Sequence, residues 1–365
     1  MKVLLLGEFS SFHKYLREGL LQIADVEVDV AADGDGWKKI GGVTVPFPDL
    51  TSKKPLDRFK FYRDEIRFIS WLKTQKYDVV QLINPKILSI PLNRPLYRAI
   101  RPNARCFAMA ACGIDYREVE AYYNGKFRYH PYDGEKILLS AFDKKTCKGR
   151  INIKNNLWVE SHADVIIPTS FEYAVGYTSP NTYPAIPLPV NTDDIPYSEN
   201  RVHNQVVFFH GLNREGAKGT AFIREALERL SAKYQNEVEI VINSRMPYNE
   251  YIQVMRRANV VIDQCRASAY GINGCIAMAQ GKVLMAGNTP EMRNTLRIDE
   301  CPVIHIEPDA DQIYSQLEWL VKNKEQVPEI GKQSREFVER YHDYKIVARQ
   351  FLEAWKATGK LDDVI

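Results

Sequence analysis

Long apolar runs, paired cysteines and a strong charge imbalance are all missing from this 365-residue chain. No window approaches the roughly 20 apolar residues that span a bilayer, so any membrane contact is expected to be peripheral. The start, Met1-Lys2-Val3-Leu4-Leu5-Leu6-Gly7, is too short an apolar run for a signal-peptide core and has no small-residue cleavage site. The six cysteines, Cys106, Cys112, Cys147, Cys265, Cys275 and Cys301, include no C-x-x-C pair and several lie in apolar runs. They read as reduced core thiols of a cytoplasmic protein, which argues against a disulfide framework or a zinc site. A formal net charge of only +3, with no helix-turn-helix or zinc pattern, argues against a nucleic-acid partner.

What is present is ordinary globular composition, 45% hydrophobic and 26% charged, in a chain long enough for two domains with their own cores. The positive charge is uneven. Thirteen lysines and arginines lie between residues 51 and 105, opposed only by Asp57, Asp64, Glu65 and Asp78. This stretch reads either as a solvated helix surface or as a face for anionic lipid or a phosphate-bearing acceptor.

Short apolar runs alternate with helical spacing through both halves. Strands are expected at 3–6, 26–30, 78–83, 106–111 and 163–168, and again at 206–209, 238–242, 260–263, 283–286 and 302–306. Helical spacing follows Tyr15, Leu16, Leu20 and Ile23, then 56–74, 220–234, 248–258 and 273–280, with helices filling 309–358. Such alternation predicts an α/β protein built on doubly wound parallel sheets. Residues 112–160, rich in Tyr, Lys and Asn, show little periodicity and read as a long insertion or helical excursion. Pro184, Pro187, Pro189 and Pro196 mark a linker. The expected division is an acceptor-binding domain over 1–195, a second domain over 196–345, and a terminal helix over 346–365 returning to the first.

Ligands of doubly wound sheets bind beyond the carboxyl ends of the strands. The turn from His210 to Gly219 holds Gly211, Arg214, Gly216, Lys218 and Gly219 ahead of a helix. Tight backbone, a helix N-terminus and two cations suit a diphosphate. The bland alternative is an ordinary turn with exposed basic residues. A second turn, Ser268-Ala269-Tyr270-Gly271-Ile272-Asn273-Gly274, follows the strand expected at 260–263, and Asn273 is placed to cap the helix after it. Packing alone would also explain that turn. Arg245 sits in a third, weaker turn. In the first half Glu8, Ser10, Ser11 and His13 follow the first strand and offer polar groups to a polyhydroxylated acceptor. His13 and Asp115 are the two candidate bases, each set against a purely structural role. Asp33-Gly34-Asp35 resembles a metal-holding D-x-D but reads better as a turn with Trp37 nearby, and no metal is expected.

The order of these motifs resembles the group-1, family 4-like glycosyltransferases of the GT-B fold. The residues that carry the likeness are Gly211 with Lys218-Gly219, Ala226-Leu227, Tyr270-Gly271 and Ala277-Met278-Ala279-Gln280-Gly281-Lys282, over roughly the last 160 residues. The resemblance implies two Rossmann-like domains facing a cleft and a nucleotide-sugar donor on the second. Gly211, Arg214, Lys218, Arg245, Ser268, Tyr270, Gly271 and Asn273 would then form the donor site, with Arg214 and Lys218 on the diphosphate. It further implies retention of configuration, no metal or other cofactor, and a glycan or lipid-linked acceptor. The chain departs from the family where two glutamates are usual, with Ser268 and Ile276 in their slots, and where an arginine follows the first glycine, with Leu212 there. A hexosyltransferase of surface polysaccharide synthesis, cytoplasmic or peripheral on the inner membrane face, is the leading expectation. A catalytically silent relative binding a nucleotide-sugar or a partner protein, and a nucleotide-sugar epimerase, are the alternatives.

Overall fold

Aliphatic runs closed by glycine, asparagine or proline become strands buried on both faces, and amphipathic segments between them become covering helices. A computed structural model of the chain describes residues 1–33, 40–45, 47–49, 54–212, 214–244 and 248–362, with the backbone alone at 244 and 248–252. Within it two compact units separate. One comprises Met1–Asn124, Leu139–Pro189 and Tyr344–Ile365, the other Gly125–Leu138 and Val190–Asp343.

The first unit carries strands β1 (Lys2–Leu6), β2 (Glu27–Ala31), β3 (Tyr77–Leu82), β4 (Ala104–Ala111) and β5 (Val165–Pro168). They form one parallel sheet in the order β2-β1-β3-β4-β5. Its helices are α1 (Phe12–Ile23), α2 (Pro55–Leu72), α3 (Ile90–Ile100), α4 (Tyr116–Tyr123), α5 (Cys147–His162) and the short α6 (Phe171–Ala174). Leu4, Leu6, Val80, Leu82, Phe107 and Met109 from the sheet share a core with Phe68, Leu72, Leu96 and Tyr97 from the helices. The second unit carries β6 (Val206–Leu212), β7 (Val238–Ser244), β8 (Val260–Ile262), β9 (Val283–Ala286) and β10 (Ile304–His305), again all parallel, in the order β10-β9-β8-β6-β7. Counted from its own first strand this is the same winding as in the first unit. Around it lie α7 (Glu215–Lys218), α8 (Thr220–Lys233), α9 (Tyr248–Arg257), α10 (Ile272–Ala279), α11 (Pro290–Leu296), α12 (Ala310–Lys322) and α13 (Val327–Tyr341). All ten strands stand where the apolar runs put them.

The last helix, α14 (Tyr344–Lys356), belongs to the first unit. It lies so close to α1 that a Cβ on Gly19 would overlap the Tyr344 carbonyl oxygen. Phe12 and Phe351 meet edge to face at 5.7 Å.

Three features differ from the sequence reading. The chain passes from the first unit to the second at 189/190, ahead of the expected 195/196. The reason is local. Val190 N–H donates to His342 O at 2.8 Å, and Arg335 donates to Ile195 O at 2.7 Å and Thr192 O at 3.1 Å. Residues 125–138, expected in the first domain, belong to the second unit, tied by an Arg128–Glu307 ion pair of 2.9 Å. The aperiodic stretch also contains a full helix, α5. Its buried face is polar: Asn152 donates to Ala141 O at 2.8 Å, Asn155 to Ile90 O at 3.2 Å, and Asn156 accepts the Tyr116 N–H at 2.7 Å. Buried amides satisfied in this way give no hydrophobic period.

Candidate functional site

In the second unit the winding reverses between β6 and β8, the place where such sheets bind ligands. The loops leaving these two strands are laced together there. Lys218, the last residue of α7, extends its ammonium to Gly211 O at 3.0 Å and to the Asp263 carboxylate at 2.8 Å. Asp263 directly follows β8. The Lys218 side chain is 12% exposed and that of Asp263 7%, so this is a nearly buried pair with one edge still open to solvent. Burial alone would raise the Asp263 carboxyl. The Lys218 charge and hydrogen bond, helped by the Gly271 N–H, hold it below the usual carboxylate range. His210 lies behind the pair with Nδ1 at 2.8 Å from Ile262 O and Nε2 at 3.0 Å from Thr220 Oγ1. Burial first, and the Lys218 charge second, push it down to about 4, so it is a neutral strut donating from Nδ1 and accepting at Nε2.

Backbone fit fixes the turn. Gly219 has φ +74°, and a Cβ there would also overlap the Cys265 sulfur. Cys265 N–H donates to Lys218 O at 3.0 Å. On the other side of α7, Gly134 from the excursion packs backbone to backbone against Gly216, so that a Cβ on either would overlap the other's carbonyl. The excursion thus rests on the very turn that carries Lys218.

The remaining expected donor residues divide. Gly211, next to last in β6, accepts from Lys218. Arg214, at the N-cap position of α7, is exposed. Gly271 caps α10 and supports Asp263. Asn273 does not cap that helix, because Gly271 holds the capping position and Asn273 lies inside the first turn. Tyr270 packs in the core of the second unit. It is 5% exposed, and its hydroxyl meets His342 Nε2 at 2.9 Å beside Phe337. Ser268 is buried, and its carbonyl accepts the Thr289 N–H at 3.2 Å. Ile276 is buried in α10. Arg245 and Asn213 lie outside the described residues, as do Gly34, Asp35 and Trp37. Among the described residues no three His, Cys, Asp or Glu side chains converge as metal ligands.

In the first unit the equivalent reversal lies between β1 and β3. Asn84, after β3, donates its amide toward Cys112 O, Gly113 O and Ile114 O at 3.1–3.3 Å. Gly113 has φ +83° and lies against the Phe9 ring. Ser10 and Ser11 occupy the left-handed region in succession, at φ 53° and 73°, a strained backbone for two non-glycine residues. Both are partly exposed. Glu8 is buried and accepts the Lys14 N–H at 2.8 Å. Both candidate bases are buried, with their polar atoms on protein partners. His13 is fully buried; Nδ1 meets Gly7 O at 2.7 Å and Nε2 meets the Gln81 amide at 3.2 Å, while Gln81 accepts Trp355 Nε1–H at 3.0 Å. Burial pushes its pKa down to about 3. Asp115 is fully buried as the N-cap of α4, accepting from Glu118 N–H at 2.9 Å and from the Tyr177 hydroxyl at 2.7 Å. Burial raises it to about 7 against those bonds.

Solved structures match this winding over the whole chain. Anabaena HepE in complex with UDP and glucose is 13% identical, covers 98% of this chain and 100% of its own, and superposes with a TM-score of 0.62. The fold is GT-B. Sucrose-phosphate synthase from Thermosynechococcus elongatus is 15% identical over 98% of both chains at 0.61. UDP-GlcNAc 2-epimerase from Neisseria meningitidis bound to UDP-GlcNAc is 11% identical over 98% of this chain and 100% of its own at 0.53. No protein-family model matches the sequence, and a search of curated proteins found no relative. With the GT-B fold in hand, the β6–β8 reversal and its Lys218–Asp263 pair are the candidate functional site. The sequence reading missed Asp263, whose one signal was a carboxylate closing an apolar strand. No helix in the described residues is long and apolar enough to cross a membrane.

Proposed function

We propose that the chain is a glycosyltransferase that takes a sugar from a nucleoside-diphosphate donor bound at the β6–β8 reversal of the second unit. The observation that carries this reading is the Lys218 ammonium fixed at the strand ends by Gly211 O and Asp263. A cation held in place before substrate arrives, in a poorly solvated turn, stabilises the charge that grows on a departing diphosphate without reorganising. Arg214, exposed at the start of α7, would supply a planar fork for a second set of phosphate oxygens. The structural neighbours HepE, in complex with UDP-glucose, and the epimerase, bound to UDP-GlcNAc, carry uridine nucleotide-sugars, which supports uridine as the base.

We infer a retaining, metal-independent transfer of a hexosyl group, the two cations meeting the diphosphate charge, onto a glycan or lipid-linked acceptor in cytoplasmic glycoconjugate synthesis. His13 and Asp115 are left out of the chemistry, since protein partners occupy their polar atoms. Ser10 and Ser11, both partly exposed, remain as acceptor contacts, while Glu8, buried with its carboxylate on the Lys14 N–H, supports the turn that carries them. Two observations favour a second reading, a silent binder: Ile276 is buried where a glutamate would meet the donor, and the Tyr270 hydroxyl is spent on His342. Turnover of a panel of UDP- and GDP-sugars separates the readings. Release of nucleoside diphosphate that rises with added glycan or lipid acceptors is the expected result. Interconversion of the bound sugar without an acceptor would assign an epimerase, and binding with neither outcome would assign the silent relative.

A further inference from the structure

Helix α2 carries apolar side chains on two adjoining faces, about a quarter-turn apart. One face is spent on the core through Phe68, Ile69 and Leu72. The other presents Leu56, Phe59, Tyr62 and Ile66 at 64, 69, 45 and 54% exposure, far more than a surface helix ordinarily shows in one place. Phe59, Tyr62 and Ile66 follow one another at three- and four-residue steps and so form a continuous stripe. Lys60, Arg63 and Arg67 repeat the same steps one residue later, so a cationic stripe runs beside the apolar one. All three cations are exposed. Asp64, half-exposed, is the counter-charge, 3.0 Å from Arg63 and 3.7 Å from Arg67. The other acidic group of this part of the helix, Glu65, is turned inward, accepting the Ser89 N–H at 2.6 Å at the start of α3.

We propose that this outward face of α2 docks on an anionic lipid bilayer. The helix is about 27 Å long at 18 residues, enough to lie flat in the interface. Apolar and aromatic side chains would enter the acyl boundary while the neighbouring lysine and arginines stay at the phosphates. The pairing of an aromatic stripe with a basic one is what selects this partner. A second protein surface would cover the apolar stripe but would need its own acidic row for the other. The inference stands apart from the donor reading, because it involves neither nucleotide nor turnover.

The test is flotation of the full chain with vesicles of phosphatidylcholine, with and without about one-third phosphatidylglycerol, at about 0.05 M and about 0.5 M salt. Wild type is expected to float with the anionic vesicles, to do so less at the higher salt, and to leave neutral vesicles about tenfold less populated. Phe59→Ser with Ile66→Ser, and separately Lys60→Gln with Arg63→Gln and Arg67→Gln, should each lower the anionic partition about tenfold or more while the circular dichroism spectrum and melting temperature stay unchanged. Wild type that ignores anionic vesicles, or variants that float as well as wild type, would overturn the proposal. So would a lipid-free dimer that the Phe59→Ser, Ile66→Ser variant converts to monomer while wild type binds no vesicle, since that assigns the face to a second copy of the chain.

Discussion

A buried carboxylate and a buried ammonium make opposite demands on the fold when one is removed. Deleting the Asp263 carboxylate would leave Lys218 charged in a site where only Gly211 O remains to accept it. Asp263→Ala is therefore expected to cost about 3–5 kcal/mol of stability, the range for stripping one partner from a buried pair. Lys218→Met with Asp263→Leu removes both charges and should cost far less than the sum of the single changes. Chemical denaturation of the double-mutant cycle reads this directly, and additive losses would show the pair to be uncoupled. Arg214 is the contrasting case. It is exposed, so Arg214→Ala should leave stability within about 0.5 kcal/mol and yet lower affinity for a nucleoside diphosphate roughly 10- to 100-fold. Equal affinity would remove it from the donor site.

Among the elements, the excursion over residues 125–138 and the turn at α7 are joined by the contact between Gly134 and Gly216. A methyl group on Gly134 has no room while the two backbones touch. Gly134→Ala should lift the excursion from α7, raise proteolytic cleavage within 125–138 and weaken nucleotide binding, with strands elsewhere unaffected. Unchanged proteolysis and affinity would show the contact to be incidental. The elements also show what the sequence could reveal. Strands were legible because most contain a short apolar run, such as Val206–Phe209 or Val283–Ala286, and β2 alternates polar with apolar residues. Helix α3 was not, because Pro91 and Pro95 interrupt its pattern although both are accommodated. Helix α5 was hidden by asparagines on its buried face. At the site, the glycine turn carrying Lys218 was legible from its spacing, whereas Asp263 is a lone acid with no motif around it. His13 and Asp115 looked like chemistry because a sequence cannot show that Gln81 and Tyr177 already occupy them.

For the whole molecule, acid should affect the two units differently. A histidine whose folded pKa is lowered is protonated first in the unfolded chain, so its unit loses stability as pH falls below the ordinary value of 6.5. His13 in the first unit and His210 in the second, lowered to about 3 and about 4, should each cost about 2 kcal/mol between pH 6.5 and about 5. Asp115, raised to about 7, is protonated first in the folded chain and adds stability over the same fall. The first unit should thus stay nearly level while the second weakens. Amide hydrogen exchange at the two pH values, read separately for each sheet after correction for intrinsic rates, distinguishes them. Equal losses in both would mean that the titrations of Asp115 and His13 do not offset.

The donor site of the second unit is central to the proposed activity. Its most direct test is the melting temperature with and without UDP, on wild type, Arg214→Ala and the Lys218→Met, Asp263→Leu pair. Ligand at about 100 times its dissociation constant should stabilise wild type by roughly 2.7 kcal/mol, with most of that shift absent from both variants. A wild type indifferent to UDP and GDP alike, or variants that respond as fully as wild type, would contradict a nucleotide site at the β6–β8 reversal.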